Sequence, residues 1–299
     1  VAALLRSLDL ARYDGAAAVP GLNRNHLHTL PVRVPDLPVQ AAIALVAQSF
    51  DELIENSRRR VAVLEEMTRA IYREWFVKFR YPGHENIPLV DSALGPIPED
   101  WAWCKVDDIV RVVKDSVDPS TLDPDTPAVG LEHIPRHQIT LDDWGWAGDQ
   151  GSRKSLFRQG DVLFGKIRAY FHKVSAAPVD GICSTDAIVI RPNEAHWGEG
   201  VLVVSSPEFV GHAVQTSNGT KMPRADWKVI GQWQVALPPD ALSRAFTGIV
   251  RDQLGLAATL MFENRSLARL RDLLLPKLVT GKIDISTLDL ESLVGGAVV

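Results

Sequence analysis

The feature that most constrains this chain is a segment that occurs twice, about 200 residues apart. AVPGLNRNHLHTLPVRVPDLP (18–38) aligns with KMPRADWKVIGQWQVALPPDA (221–241) when Pro20 is paired with Pro223. In both copies apolar and polar residues alternate just before a proline, which predicts a half-buried strand that ends at a turn. A long helical pattern follows each copy. Internal duplication explains the shared order of strand, proline and long helix; the alternative is chance similarity between two amphipathic helices.

Each predicted helix has apolar residues spaced by three and four over about 35–40 residues, far beyond the usual helix length. Such a long apolar stripe needs a partner helix, so the two helices are predicted to pack on each other antiparallel. Gly248 and Gly255 weaken the second helix, Pro276 is predicted to kink or end it, and Thr280–Lys282 finishes it. The apolar positions are Ile43, Val46, Phe50, Leu53, Ile54, Val61, Leu64, Met67, Ile71 and Trp75 in the first helix, and Phe246, Ile249, Val250, Leu256, Leu260, Leu267, Leu270, Leu274 and Leu278 in the second.

The region between the two copies has a mostly β signal. Short apolar runs bounded by Gly, Pro or Asp predict strands in PAVGLEHI, GDVLFGKI, KVSAAP, STDAIVIRP and WQVALPP, and AWCKVDDIVRVV predicts a strand with a short helix. SPEFVGHAVQ predicts a helix with Ser206 as N-cap and Pro207 in its first position. The predicted fold class is therefore α+β, with a small mixed barrel or sheet between two long helices.

Composition excludes several classes of protein. The chain has 299 residues, of which 46% are hydrophobic and 23% charged, so it can bury a normal core. The two cysteines, Cys104 and Cys183, indicate buried thiols in a reducing cytoplasm rather than a disulfide framework. No run of about 18 apolar residues predicts a membrane span. The opening residues, VAALLRSLDLARYDG, do not resemble a signal peptide and suggest the middle of a longer unit.

The net charge is −5, so any DNA site must be a local patch. Basic residues concentrate in two segments of the middle region, and these are candidates because Lys and Arg neutralise phosphates while Arg, Asn and Gln read base edges. The alternative is that they are solvated surface charges. The segments contain Arg153, Lys154, Arg158, Lys166, Arg168, Tyr170, Phe171 and Lys173, and then Gln215, Asn218, Thr220, Lys221, Arg224 and Lys228.

Several stretches together resemble the specificity (S) subunit of type I restriction–modification systems. IPEDWAWCKVDDIV resembles the opening of that family's target-recognition domain, FRQGDVLFGKIRAYFHK and GICSTDAIVIRP its central strands, and NGTKMPRADWKVIGQWQVALPP its closing loop and strand. VAVLEEMTRAIYREWFVKF resembles its first spacer helix. RSLARLRDLLLPKLVTGKI resembles the second and is the most specific match.

The resemblance implies a globular mixed α/β target-recognition domain plus two long antiparallel helices that form a coiled-coil spacer. It divides the chain into the remnant of a first recognition domain (1–37), a first spacer helix (38–80), a recognition domain (81–240), a second spacer helix (241–282) and a C-terminal tail (283–299). Such a protein reads half of a split target in double-stranded DNA. It also binds methyltransferase (M) subunits and, through the complex, a restriction (R) subunit. Because only the remnant at 1–37 represents the first recognition domain, this chain is expected to be a truncated form that could pair with a second half-length chain or be non-functional.

The expected DNA contacts are Lys166, Arg168, Tyr170, Lys173, Asn218, Thr220, Lys221 and Arg224. The first helix also offers candidates for binding spacer DNA or the M subunit, namely Arg58, Arg59, Arg69 and Arg73. The alternative is that these arginines form the solvent-exposed face of an amphipathic helix.

No catalytic site, cofactor or metal is predicted. The chain has neither a Gly-rich cofactor loop with an Asn/Asp-Pro-Pro-aromatic loop nor a P-loop. Asp161 and Lys166 lack the further partner of a nuclease site, Pro135 interrupts the pair His133 and His137, and His26 and His28 are better explained by structural roles. Two alternative functions remain: the specificity part of a fused restriction–modification enzyme, or a coiled-coil interaction protein that does not bind DNA.

Overall fold

The structure, a computed structural model, describes Leu8, Asn25, residues 28–32 and residues 34–285. The chain divides into two compact units, one of residues 1–59 and 260–299 and the other of residues 60–259. We call the described part of the first the helical unit, and the second the central unit. Most of the predicted remnant at 1–37, and the tail beyond Ile285, lie outside the described residues.

The described elements alternate short strands with helices of very different length. The helices are α1 (Leu37–Tyr72, continued by a π-helical turn at Arg73–Val77), α2 (Val106–Ile109), α3 (Trp197–Val204), α4 (Pro207–Gln215), α5 (Trp227–Ile230) and α6 (Asp240–Val279). The strands are β1 (Leu89–Val90), β2 (Ile97–Pro98), β3 (Ala102–Lys105), β4 (Val110–Val113), β5 (Ser116–Val117), β6 (Pro127–Val129), β7 (Gly145–Trp146), β8 (Lys154–Phe157), β9 (Val162–Gly165), β10 (Val174–Ala176), β11 (Gly181–Cys183), β12 (Ala187–Pro192) and β13 (Gln234–Leu237).

In the helical unit, α1 and α6 pack antiparallel. Ile43 and Val46 are buried in one cluster with Leu278 and Ile285. Farther along α1, Asp51 accepts a hydrogen bond from Arg271 at 2.5 Å. Residues later in α1 therefore lie beside residues earlier in α6, which is the antiparallel arrangement that the shared apolar spacing predicts.

The same antiparallel pairing holds in the central unit. The Thr68 hydroxyl of α1 donates to Oε1 of Gln253 on α6 at 2.6 Å. Just beyond α1, the ring of Phe76 lies 4.6 Å from the ring of Phe246, centroid to centroid. Both rings are buried in the main apolar cluster of this unit, so this end of the helix pair is part of the domain core.

Two sheets form the body of the central unit. One has the order β10-β9-β12-β4, with all neighbours antiparallel. The other has the order β5-β8-β11-β6-β7, in which only the β11–β6 pair is parallel. β13 pairs with β3, which joins the two ends of the domain sequence. The predicted α+β class and the predicted strands and α4 are confirmed, including the hydrogen bond from the Phe209 N–H to the Ser206 cap.

One expectation was wrong. The strand predicted before Pro35 is absent from the described residues there, and Val32 and Val34 are exposed. Its counterpart β13 is held by β3, and no described strand lies beside the first copy. α6 runs through Pro276 to Val279 and ends just before Thr280–Lys282, where the sequence predicts its end; Leu278 is buried against α1, and Thr280 donates from its backbone and hydroxyl to the Pro276 carbonyl.

Residues Leu37–Val77 are long and apolar enough, by length and composition alone, to cross a membrane. One such helix is weak evidence, since the core helix of a water-soluble protein passes the same test. In the described part of the chain, α1 uses its apolar positions for packing, with Ile43, Val46, Ile54 and Val61 all buried.

Candidate nucleic-acid interface

The two predicted basic segments meet in the central unit. We define the first basic loop as residues 166–173, after β9, and the second as residues 217–226, before α5. The Arg168 N–H donates to the Pro223 carbonyl at 2.8 Å, and the Ala225 N–H donates to the Lys166 carbonyl at 2.9 Å. The pairing is antiparallel, so residues far apart in sequence lie side by side on one surface.

Each loop is closed by its own backbone. In the second loop, Asn218 and Arg224 exchange N–H···O bonds of 3.0 and 2.9 Å, and Gly219 at φ +102° makes the turn. In the first loop, a 3₁₀ turn over Ala169–Phe171 lies between Arg168 and His172, both at positive φ. Positive φ is uncommon for residues other than glycine and is often found where a fold fixes functional side chains.

Most of the predicted contact residues project from this double loop. Asn218, Thr220, Lys221 and Arg224 are exposed and Lys166 and Arg168 are partly exposed. Within the part of the chain that the structure describes, none of the four basic residues forms an ion pair. Tyr170 is 52% exposed and lies against the Phe171 ring, which also carries the guanidinium of Arg136 at 4.3 Å.

Two side chains of the first loop are turned toward the protein. The Lys173 ammonium donates to the Leu131 carbonyl, and burial lowers the pKa of this amine. The Nε of Arg168 is buried and has no hydrogen-bond partner in the described structure, although the residue itself is only half-buried. A buried donor without an acceptor is costly, so Arg168 is held in a position that protein contacts alone do not satisfy.

The predicted helix arginines have different surroundings. In the helical unit, Arg58 is exposed and Arg59 pairs with Glu55 at 3.1 Å while remaining largely in solvent. In the central unit, Arg73 pairs with Glu66 at 2.6 Å. Arg69 is instead drawn into the domain, where it donates to Glu65 and to the His137 carbonyl.

A contact that sequence reasoning missed fixes α1 to the loop that contains Ile139 and Thr140. Glu65 is 2% exposed, and its carboxylate accepts from the N–H groups of Ile139 and Thr140 at 3.1 and 2.8 Å and from the Thr140 hydroxyl. A charged residue at a buried position of a helix is the signal that could have indicated it, since such a residue must find partners.

The residues considered for metal or nuclease chemistry have structural roles. Asp161 binds Arg191 through two bonds of 2.6 and 2.7 Å rather than Lys166. His133 accepts from the Gly130 N–H, and the ring of His137 packs at a tilt against that of His172, with centroids 4.5 Å apart. His26 lies outside the described residues. Among the described residues, no group of three His, Cys, Asp or Glu could hold a metal ion.

Comparison with known proteins identifies relatives of one kind. No protein-family model matches the chain. The specificity subunit of the type I restriction enzyme MjaIX from Methanocaldococcus jannaschii is 22% identical over 296 residues, covering 92% of this chain and 66% of the relative. That of EcoDI from Escherichia coli is 23% identical over 283 residues, covering 86% and 62%. This chain thus spans slightly less than two thirds of the length of these relatives.

A solved structure supports the fold. The S subunit of a type I restriction–modification system from M. genitalium superposes with a TM-score of 0.52 at 14% identity, covering 93% of this chain and 71% of that one. At this identity the likeness concerns the fold alone. Together with the sequence relatives it leads to one conclusion: the chain is a homologue of the specificity subunits of type I restriction–modification systems.

Proposed function

We propose that this chain recognises a half-site of a bipartite target in double-stranded DNA, as the specificity subunit of a type I restriction–modification complex. The observation that carries the proposal is the backbone pairing of the two basic loops, which brings Lys166, Arg168, Lys221 and Arg224 together without acidic partners. Unpaired cations on one surface suit a polyanion, because neutralising phosphates releases counterions and supplies most of the affinity.

The loops combine groups for phosphate and for bases. Lys221 and Arg224 on the exposed second loop suit phosphate oxygens, while Asn218 offers the amide that pairs with adenine in the major groove. The exposed ring of Tyr170 supplies an apolar face for a base or a thymine methyl group.

The fixed backbone of these loops supports a reading role rather than loose attraction. Arg168 sits between a strand end and a 3₁₀ turn, and its N–H is bound to the second loop. Recognition groups that are held in place before binding lose less entropy on binding, which improves discrimination between similar sequences.

We further propose the partners that this role requires. The chain would carry M subunits on its long helices and an R subunit through the complex, in the cytoplasm and without a cofactor of its own. Exposed apolar residues of the helical unit, among them Leu45 and Leu53 on α1 and Leu270 and Leu273 on α6, together with Arg58 and Arg59, suit a protein partner. A second half-length chain would supply the other half-site.

The test is DNA binding by the chain co-expressed with the M subunits of its host. A random-sequence duplex pool is selected on the complex, and binding of the enriched duplex is followed by fluorescence anisotropy over a range of salt. The double variant Lys221→Ala/Arg224→Ala is compared with Lys78→Ala/Arg80→Ala, which removes the same charge from two exposed residues paired with Glu74. The first should weaken binding and reduce the salt slope by about 2 if both side chains contact phosphate.

Equal binding by both double variants would refute the assignment of the loops. Failure of the wild-type complex to enrich any sequence while M subunits remain bound would favour the coiled-coil interaction protein instead. A methyltransferase motif encoded upstream of Val1 in the same reading frame would favour the fused enzyme.

A further inference from the structure

We propose that a cleft in the central unit, separate from the basic loops, binds a phosphate-bearing anion. The cleft encloses about 590 Å³, which is within the range of small-molecule sites. Four arginines line it: Arg111, Arg158, Arg191 and Arg251. They come from β4, from the turn before β9, from β12 and from α6, so four separate segments place guanidinium groups around one space.

Two of these arginines are neutralised by the protein. Arg191 forms the bidentate pair with Asp161, a carboxylate that is only 1% exposed. Arg251 pairs with Glu194 at 2.7 Å and lies over the Trp197 ring at 5.3 Å. Both pairs fix the direction of their guanidinium groups, while guanidinium N–H donors beyond those used remain.

The other two arginines are not neutralised. Arg111 and Arg158 are exposed, and within residues 34–285 neither has an ion pair or a side-chain hydrogen bond. Arg111 is also the direct cross-strand partner of Arg191 in the antiparallel β4–β12 pair. Like charges directly opposite each other destabilise a sheet, and Asp161 compensates only one of the two. An anion beside Arg111 would remove this repulsion.

The ligand class follows from these donors. Planar guanidinium groups bind phosphate oxygens in pairs, and a cleft with two uncompensated positive charges suits an anion with at least two negative charges. The phosphate could come from a small molecule such as a nucleotide or from the DNA backbone. Because α6 contributes Arg251 while β4 and β12 contribute Arg111 and Arg191, a bound anion would link the helix to the sheet.

This cleft does not belong to the basic loops. Asp161 precedes β9 and Lys166 follows it, so the cleft and the loops lie at opposite ends of this strand. The neighbouring strand β12 agrees with this placement. Its Ala187 pairs with Gly165, at the end of β9 that leads into the first basic loop, while the cleft residue Arg191 lies near the opposite end of β12. The inference therefore goes beyond the DNA-reading proposal and can fail independently of it.

The experiment uses the full chain at about 0.15 M ionic strength, where exposed charges farther apart than about 8 Å are screened. Pyrophosphate binding is measured by calorimetry and by the rise in melting temperature. The test variant is Arg111→Ala/Arg158→Ala, which removes two exposed side chains without partners. The control variant is Lys78→Ala/Arg80→Ala. We expect saturable binding by wild type and control, and at least about tenfold weaker binding by the test variant, since each charge-assisted hydrogen bond is worth that factor or more.

Absence of saturable pyrophosphate binding to the wild type would overturn the proposal, as would equal binding by the test variant. A duplex lacking the recognition sequence distinguishes the source of phosphate. If this duplex displaces pyrophosphate, the cleft holds DNA backbone; if it does not, the cleft holds a small molecule. The loop variant Lys221→Ala/Arg224→Ala should keep pyrophosphate binding, so failure of the loop assignment and failure of the cleft are separable.

Discussion

Glu65 offers the sharpest test of how α1 is fixed to the loop that contains Ile139 and Thr140. In Glu65→Ala, two backbone N–H groups and the Thr140 hydroxyl lose their acceptor in a buried site, and Arg69 loses its carboxylate partner. Each buried donor left unsatisfied costs about 1–3 kcal/mol, but such losses overlap within one network. Removing one member of a buried charge pair costs about 3–5 kcal/mol, and we expect a loss of free energy of unfolding in that range.

The neighbouring glutamate is a matched control. Glu66 pairs with Arg73 and Arg69, but its side chain is 59% exposed, so Glu66→Ala should cost less than about 1 kcal/mol. All eight tryptophans of the chain lie between Trp75 and Trp233, so tryptophan fluorescence during urea unfolding reports on the central unit alone.

Hydrogen exchange localises the effect. The amides of Ile139 and Thr140 should lose protection in Glu65→Ala and keep it in Glu66→Ala. The isosteric variant Glu65→Gln retains one acceptor oxygen and should fall between the two. If Glu65→Ala unfolds within about 1 kcal/mol of Glu66→Ala, or if the two amides stay protected, the carboxylate does not hold this loop to α1 and the reasoning is refuted.

Two further predictions concern the same unit. Burial lowers the pKa of His172, with smaller contributions from His137 and Arg69. As the pH falls below about 6.5, this histidine therefore takes up a proton in the unfolded chain before it does so in the folded chain. The free energy of unfolding falls with decreasing pH in that window. His172→Asn, which tolerates positive φ, should flatten this acid limb in a pH series of urea unfolding; an unchanged slope would exclude His172 as its source. A Cβ at Gly181 would lie 2.5 Å from the Pro127 carbonyl oxygen, so Gly181→Ala should destabilise the protein by about 1–3 kcal/mol. A Cβ at the helical Gly211 would meet nothing within 4 Å, so Gly211→Ala should stabilise it slightly. Comparable melting temperatures of the two variants would contradict this packing.

The long helices could be predicted because their information is local. Apolar residues spaced by three and four recur over many turns, and selected positions such as Ile43, Val46 and Leu278 are buried in the structure, whereas the selected positions Leu53, Met67, Leu256 and Leu270 are exposed. α3 carries no such pattern. Its residues Gly198–Val204 are all buried, the charged Glu199 included, so no exposed polar face alternates with a buried apolar one and the periodicity that marks a surface helix is missing.

The failed strand before Pro35 shows the limit of local pattern. Its alternation of apolar and polar residues matches that of β13, yet a strand exists only where another strand satisfies its N–H and C=O groups. β13 finds that partner in β3, which lies more than 100 residues earlier in sequence. Periodicity describes which face a strand would bury and carries no information on whether a partner is present.

The candidate site was predictable in composition but not in arrangement. Residue types and charge marked both basic loops, since Lys, Arg and Asn cluster there. That Ile167 lies beside Arg224, or that Lys173 turns inward to the Leu131 carbonyl, depends on long-range pairing that a single sequence does not encode locally. The arginine cleft was missed for the same reason: only Arg158 comes from a segment marked by charge, and its partners Arg111, Arg191 and Arg251 come from distant segments that carry no basic cluster.

The negative net charge of the chain bears directly on how the proposed DNA reading would work. Non-specific affinity grows with the number of phosphates that a protein neutralises, and a chain with net charge −5 repels DNA everywhere except at local cationic patches. Concentrating unpaired cations in two fixed loops would therefore keep non-specific binding weak while leaving base contacts their full effect. A genome presents very many competing sites, so the ratio of specific to non-specific affinity decides how much of the target site is occupied. An acidic protein with a small basic reading surface has a lower non-specific affinity, and this ratio is therefore higher.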